Sequence, residues 1–309
     1  MTASPFRRMP MYVGRFAPSP TGPLHFGSLV AALGSCLEAR VQSGRWLLRI
    51  EDVDAPRTVA GATDTILRQL EACGFEWDGG IVYQSERLAR YRQVLDELIA
   101  QGKAFGCACT RREMVDSSLA RDGSRRYPGT CREGLAAGRT ARAWRMRTAP
   151  GQIVFDDAIQ GRCHEDVWAD VGDFVLLRAD AQYAYQLAVV VDDAEQGVTH
   201  IVRGADLLDS TARQIYLQRQ LGVLTPHYAH LPVVVNAAGE KLSKQTLAPA
   251  VAAQDAVMAL HGALRFLGQQ PPANLARSTL GDLWAWARAH WDMARVPHVR
   301  AARAPRPAD

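Results

Sequence analysis

Two short elements, one near the start of the chain and one about four-fifths along it, constrain the fold more than anything else in the sequence. The first follows a strand pattern at 12–16. It is a stiff loop with prolines at 18, 20 and 23, then His25, Gly27 and Ser28. A helical pattern then runs over 27–42, with Leu29, Ala32, Leu33, Cys36 and Leu37 on one side and Gly44 as its stop. A loop of this kind opening a helix offers free N–H groups and positive potential, which suits a polyphosphate. Gly22 and Gly27 permit close backbone approach. The loop has neither a Gly-Lys-Ser/Thr element nor GxGxxG. The second element, Lys241-Leu242-Ser243-Lys244-Gln245, follows a strand pattern at 231–235 and a turn at Gly239. Its two lysines can close on a pyrophosphate as charge develops there. Alone, each element reads equally as a Pro/Gly turn or an exposed basic loop. Together they bracket an alternating α/β chain with phosphate-binding chemistry at both ends.

The intervening pattern agrees. An apolar run at 46–50 reads as a buried strand, and 58–73 and 85–101 read as helices, the latter capped by Ser85 and ended by Gly102. Strand, helix, strand, helix at this spacing is a βαβ unit with a parallel sheet. Periodicity fades over 105–150, which reads as an insertion, and strand signals return at 143–147, 153–156 and 174–178. Further strands are expected at 187–191 and 198–203, then a helix at 211–221 capped by Asp209 or Ser210. Beyond 251 the pattern is helical, with an amphipathic stretch at 280–291 and a disordered tail from Arg303. The expected parts are 1–104 and 181–250 as two halves of one catalytic domain, 105–180 as the insertion, and 251–309 as a short helical extension.

Composition excludes other classes. Hydrophobic residues at 48% and charged residues at 22% rule out a disordered chain. No apolar run approaches a membrane span, and the first ten residues lack the apolar core of a signal peptide. Six cysteines in 309 residues do not make a disulfide scaffold, so a cytoplasmic enzyme with one metal site is the expectation. Charge is concentrated: residues 111–150 hold ten arginines (111, 112, 121, 125, 126, 132, 139, 142, 145, 147) against four acids. Such a segment fits a polyanion such as RNA, and equally a solubilising surface.

Cys107, Cys109 and Cys131 fall in that arginine-rich segment and suggest a structural zinc lacking a fourth ligand, for which Cys163 and His164 are the chemical candidates. Cys36 and Cys73 lie on apolar helix faces and read as core. Trp284, Trp286 and Trp291 read as base-stacking platforms or, at their helical spacing, as core. Arg15 and Arg203 end strands on the edge where doubly wound sheets bind ligands, and arginine clamps carboxylates in bidentate fashion. Glu51 can hold an ammonium group there and Tyr185 can add a hydroxyl.

These residues carry a resemblance. PSPTGPLHFGS at 18–28 resembles the HIGH-type signature of class I aminoacyl-tRNA synthetases, and KLSKQ at 241–245 their KMSKS-type loop. GRFAPSPTG at 14–22, LRIEDVD at 48–54 and VVVDDAEQGVTHIVRGADLLDSTARQIYL at 189–217 are similar to the glutamyl branch, and the likeness spans roughly 11–270. Three positions depart from the pattern: Ser28 replaces the last His, Gln245 the last Ser, and Val189 a usual Asn. The stretch after Gln245 is too short for an anticodon-binding domain. That truncation and the cysteine pattern resemble the glutamyl-Q tRNA(Asp) synthetase family.

The resemblance implies a class I Rossmann-type parallel sheet with a zinc-braced insertion and a short helical C-terminus. It implies ATP-dependent activation of L-glutamate without tRNA, then transfer to the queuosine base of tRNA(Asp). It places glutamate on Arg15, Ala17, Ser19, Glu51, Tyr185 and Arg203, and ATP with Mg²⁺ on Pro18, His25, Gly27, Ser28, Lys241 and Lys244. His25 and Lys244 would be the catalytic groups. The family pattern C-x-C…Y-x₃-C makes Tyr127 the fourth zinc ligand beside Cys107, Cys109 and Cys131. A monomer is expected. The alternatives are a truncated glutamyl-tRNA synthetase charging a 3′ end, a small-molecule nucleotidyltransferase, and a catalytically inactive RNA-binding paralogue.

Overall fold

The structure is a computed structural model that describes residues 11–110, 112–114, 126–236, 238–242 and 250–304. Its first half alternates as the sequence indicates: β1 (Val13–Phe16), α1 (Phe26–Val41), β2 (Arg45–Ile50), α2 (Ala62–Ala72), β3 (Val82–Tyr83) and α3 (Leu88–Ala100). Then come β4 (Ala104–Cys107), β5 (Ala143–Met146), β6 (Gln152–Asp157), β7 (Gly161–Asp166), the single turn α4 (Val167–Asp170) and β8 (Val175–Leu177). The chain continues through α5 (Tyr185–Glu195), β9 (His200–Gly204), α6 (Leu208–Leu221), β10 (His227–Leu231) and β11 (Val233–Val235). It ends with α7 (Ala256–Phe266), α8 (Leu280–His290) and β12 (Ala301–Arg303).

β1, β2 and β3 form a parallel sheet, and β9, β10 and β6 form another, with β7 antiparallel at its edge. The two meet where Thr199 N–H donates to the Val13 carbonyl and Val13 N–H to Thr199 Oγ1, both at 2.9 Å. The resulting order β3-β2-β1-β9-β10-β6-β7 reverses direction of travel at β1 and β9, the switch point where doubly wound sheets open a ligand crevice. Helices cover both faces. On one, α1, α7 and α8 bury Leu33, Leu37, Trp46, Leu264 and Trp284. On the other, α3, α5 and α6 bury Tyr91, Leu95, Val190 and Ile215. β4, β5 and β8 form a separate antiparallel sheet, and β11 pairs with β12.

Several sequence expectations are corrected. Residues 187–191 are not a strand: they are the middle of α5, buried on every side between β-sheet and α3 and α6. A helix without a polar face gives the same apolar run as a buried strand. The 231–235 strand is two strands split at Pro232, which has no N–H for a ladder. α6 starts at Leu208 with no side-chain cap, so neither Asp209 nor Ser210 caps it. Ser85 does not cap α3 either; its hydroxyl donates to Asp52 Oδ2 at 2.7 Å. α2 starts at Ala62 rather than 58. Arg303 closes β12 rather than opening a tail. The polar strand β7 and the short β4 and β12 gave no usable pattern. Trp284 and Trp291 are core: their indoles donate to the Cys73 carbonyl (2.9 Å) and Glu38 Oε2 (2.7 Å), not to a base-binding surface. No helix among the described residues is long and apolar enough to cross a membrane.

Candidate functional site: a cleft at the strand ends

A cleft of about 850 Å³ opens at the C-terminal ends of β1, β2, β9 and β10. Arg15, Ala17, Pro18, Ser19, His25, Gly27, Ser28, Glu51, Tyr185, Arg203 and Lys241 all line it. Ser243, Lys244 and Gln245 lie outside the described residues.

The first loop delivers the N-terminus of α1 to this cleft. His25 is the N-cap in extended geometry, and its Nδ1 accepts the Ser28 N–H at 3.3 Å. Its Nε2 lies 3.3 Å from Ser28 Oγ, so the ring proton belongs on Nε2. Ser28, where the family's pattern has histidine, thus fixes His25 from two sides. At Gly27 a Cβ would sit 3.1 Å from the His25 ring, tighter than ordinary contact, so a larger residue would push that ring aside. Gly22, at φ +136°, makes a turn that other residues rarely adopt. Opposite, Lys241 Nζ is 2.6 Å from Asp206 Oδ2, an acid that sequence reasoning did not select.

The arginines are not free bidentate clamps. Arg15 gives its Nε and Nη2 to the two oxygens of Asp193, at 3.2 and 3.3 Å. Asp193 also holds Arg49 Nη1 at 2.8 Å, and Arg49 Nη2 reaches Glu51 Oε1 at 3.2 Å. Arg49 lies 3.8 Å from Asp192, which accepts from Arg87, Gln84 and Tyr91. Arg15, Arg49, Asp192 and Asp193 are all within a few per cent of full burial. Burial lifts the Asp193 carboxyl, but Arg15 and Arg49 outweigh it and hold it below the usual range. At Glu51 burial wins over Arg49 and Arg15 and raises the carboxyl, leaving an acid that an added cation would relieve. Burial raises the Tyr185 hydroxyl, so it stays protonated.

Arg203 differs. Its Nε donates to His230 Nε2 (3.0 Å), its Nη2 to Thr211 Oγ1 (2.9 Å) and the Leu207 carbonyl (3.3 Å), and its Nη1 to the Tyr185 hydroxyl (3.4 Å). All four acceptors are uncharged, and no carboxylate pairs with Arg203 among the described residues. Around the cleft Arg15, Arg49 and Arg87 balance Asp192, Asp193 and Glu51. Arg203 has no described carboxylate in contact, the anion behind it being Asp157 on the far side of His230, and an Nη1 hydrogen is left for a ligand. Asp193, Arg49, His230 and Thr211 were not selected from sequence. Arg49, Asp193 and Thr211 stood inside the quoted motifs at 48–54 and 189–217, which was their signal; His230 had none. Val189 does not reach the cleft; it is buried in α5, so its departure from the family pattern concerns packing.

The cysteine cluster forms apart from the cleft. The sulfurs of Cys107, Cys109 and Cys131 lie within 4.8 Å of one another, Cys109 and Cys131 at 3.6 Å. Tetrahedral zinc with ~2.3 Å bonds sets sulfurs roughly 3.8 Å apart, so the donor set fits. The Tyr127 hydroxyl is 3.8 Å from Cys109 Sγ and accepts the Cys131 N–H at 2.7 Å. Cys163 and His164 sit on β7 and do not join the cluster. The flanking arginines are largely used internally. Arg132 pairs with Asp173 and stacks over Trp168, Arg145 lies over the Tyr127 ring, Arg147 over Phe105, Arg126 bonds the Trp168 carbonyl, and Arg139 pairs with Glu113. The concentrated charge is therefore only in part a free surface. Arg111, Arg121 and Arg125 lie outside the described residues.

Residues 12–272 match the family of class I tRNA synthetases (E and Q), catalytic domain. The glutamyl-Q tRNA(Asp) synthetase of Aromatoleum aromaticum is 64% identical over 96% of this chain and 94% of its own length. Those of Dechloromonas aromatica and Chromobacterium violaceum are 61% and 58% identical, each over 93% of this chain and 96% of its own. Among solved structures, a glutamate-tRNA synthetase from Elizabethkingia anophelis superposes with a TM-score of 0.78 at 25% identity, over 95% of this chain and 68% of its own. The chain belongs to the class I glutamyl-type tRNA synthetases and, within them, to the glutamyl-Q tRNA(Asp) synthetase family.

Proposed function

We infer from this membership that the chain activates L-glutamate with ATP and transfers it to the queuosine base of tRNA(Asp), the reaction named for its relatives. The observation that carries the amino-acid part is Arg203, a buried cation facing the cleft with only neutral partners. No carboxylate among the described residues touches Arg203, so its guanidinium presents a positive charge to the cleft without a direct ion-pair partner. Glutamate, with two carboxylates and one ammonium, brings one negative charge. Its ammonium fits Glu51, whose carboxyl is raised by burial. Its side-chain carboxylate fits Arg203, which leaves the α-carboxylate toward the His25 end of the cleft.

There the α-carboxylate attacks the α-phosphate of ATP, forming the mixed anhydride and expelling pyrophosphate. A carboxylate is already nucleophilic, so catalysis is positioning plus charge stabilisation. His25, with its proton on Nε2, and the α1 N-terminus face the phosphates. Lys241 and Lys244 supply cations, Lys241 by exchanging Asp206 for a phosphate. Mg²⁺ bound with ATP would neutralise phosphate charge. A hydroxyl of the queuosine cyclopentene then attacks the anhydride carbonyl and releases AMP. Zinc on Cys107, Cys109, Cys131 and Tyr127 would brace the arginine-rich module. A tRNA substrate puts the enzyme in the cytoplasm.

The test is glutamate-dependent ATP–pyrophosphate exchange on the purified protein without tRNA, followed by transfer to queuosine-containing tRNA(Asp). Exchange without tRNA and labelling only of queuosine-containing tRNA(Asp) are expected. Exchange that requires tRNA, with labelling of a 3′ end, would replace this reading with the ordinary one.

A further inference from the structure

Behind Arg203 stand two residues that the reaction above does not use. His230, on β10, is fully buried. Its Nδ1 is 2.6 Å from Asp157 Oδ2, and its Nε2 receives the Arg203 Nε–H. An arginine Nε can only donate, so Nε2 carries no proton and the single ring proton lies on Nδ1, held by Asp157. Asp157 is itself fixed at the end of β6: its Oδ1 accepts the N–H groups of Ile159, Gln160 and His230, at 3.0, 2.8 and 3.1 Å. Thr211 completes the seat. Its hydroxyl donates to the Leu207 carbonyl, accepts from Arg203 Nη2 and lies 3.2 Å from His230 Nε2.

We propose that Asp157 and His230 form a positioning pair for Arg203, gripping its Nε with a neutral acceptor so that the guanidinium faces the cleft with no described carboxylate in contact. The contrast with Arg15 shows why the acceptor is an imidazole. Asp193 fixes Arg15 just as firmly but neutralises it. A carboxylate in place of His230 would pair with Arg203 directly and compete with an anionic ligand for its guanidinium. A protonated imidazole would repel it. Burial, against the pull of Asp157 and with the help of Arg203, pushes the His230 ring down to about 4, which keeps it neutral. The remaining neighbours of the ring are uncharged apart from Asp206, whose carboxylate is engaged by Lys241.

The proposal rests on the glutamate reading and specifies who aims the specificity residue. It is tested by glutamate and ATP titrations of pyrophosphate exchange on the full chain, with Arg203→Lys, His230→Asn and His230→Gln. Asparagine keeps an N–H near the Nδ1 position for Asp157 but cannot reach Arg203; glutamine places its Oε1 near the Nε2 position. A lost hydrogen bond to a charged group changes affinity about tenfold or more. Accordingly His230→Asn should raise the glutamate KM about tenfold with kcat and ATP KM within about twofold, and His230→Gln should recover most of it. A folded His230→Asn protein with native glutamate KM, while Arg203→Lys is impaired, overturns the pair and leaves the reading intact. Equal loss in both His230 variants, carried by kcat or folded fraction, assigns a merely structural role and also overturns it. A native protein without glutamate-dependent exchange overturns the reading and the positioning role with it. Histidine-selective ¹⁵N NMR of the native protein at neutral pH needs no variant: His230 must show a protonated Nδ1 and a bare Nε2, and the opposite tautomer refutes the geometry.

Discussion

Replacing Asp193 by asparagine keeps the shape of the side chain and removes the charge that Arg15 and Arg49 share. Both arginines lie out of water, and Arg15 has no second carboxylate among the described residues, whereas Arg49 keeps Glu51 at 3.2 Å and Asp192 at 3.8 Å. Removing one partner of a buried ion pair costs about 3–5 kcal/mol because the other charge stays buried. The residual partners of Arg49 place this case at the lower end, ~3–4 kcal/mol. At roughly 2–3 °C per kcal/mol for a chain of this size, the melting temperature should fall by about 6–12 °C. The assay is thermal unfolding followed by circular dichroism, with urea unfolding as a second axis. Adding Arg15→Met should restore part of the loss, because the two positions share one interaction and their effects cannot add. A melting point within about 1 °C of the native protein would refute the claim that this charge network is buried and uncompensated. Strict additivity in the double variant would refute the direct coupling of Arg15 to Asp193.

Three further outcomes follow from the geometry. Cys131→Ser should lower bound zinc from one equivalent toward none in atomic emission of dialysed protein and loosen the β4–β5 module to proteolysis; one retained equivalent would assign the metal elsewhere. The folded state holds the His230 pKa near 4, below its unfolded value of about 6.5, so the unfolded chain binds the extra proton. His200 is likewise pushed down to about 4, mainly by burial, so stability should be constant above about pH 6.5 and fall toward pH 4 with a slope of up to ~1.4 kcal/mol per pH unit for each of the two histidines, while Asp157, held low mainly by His230 against its burial, adds a loss below its ordinary range. Urea midpoints from pH 4 to 8 measure this, with His200→Gln isolating the part due to His230; a flat profile in that variant would show that His230 titrates normally. Lys241→Ala should slow exchange with little change in glutamate KM, since Lys241 stands at the phosphate end of the cleft; a raised glutamate KM alone would move it to the amino-acid subsite.

What could be read from the sequence was what is local. The loop at 18–28 announces itself because prolines, a histidine and two glycines meet within one strand-to-helix turn. Arg15, Glu51 and Arg203 were found because each sits at or just beyond a strand end, a position that places it at the ligand edge of a doubly wound sheet. Apart from Tyr185, the partners of those residues were not found. Asp193 comes from a helix whose run of valines reads as a strand, and nothing local says that it meets Arg15, 178 positions away. His230 and Asp157 are 73 positions apart and meet only because β6 pairs with β10 across a segment that reads as an insertion. The arginines of 126–147 mislead in the other direction. Their number suggests a surface for RNA, but guanidinium planes also stack on Trp168, Tyr127 and Phe105, a use that composition does not distinguish.

The pairing of β12 with β11 has a consequence for biosynthesis. Val233 and Val234 of β11 line the cleft, the strand leads into the Lys241 turn, and its described strand partner is Ala301–Arg303. While the nascent chain is still emerging, every earlier strand can find its neighbour, but this one cannot until residue 303 has cleared the ribosomal tunnel. The wall that carries the second phosphate element is thus the last piece of the cleft to be set, and ATP meets a finished pocket only after residue 303 is in place.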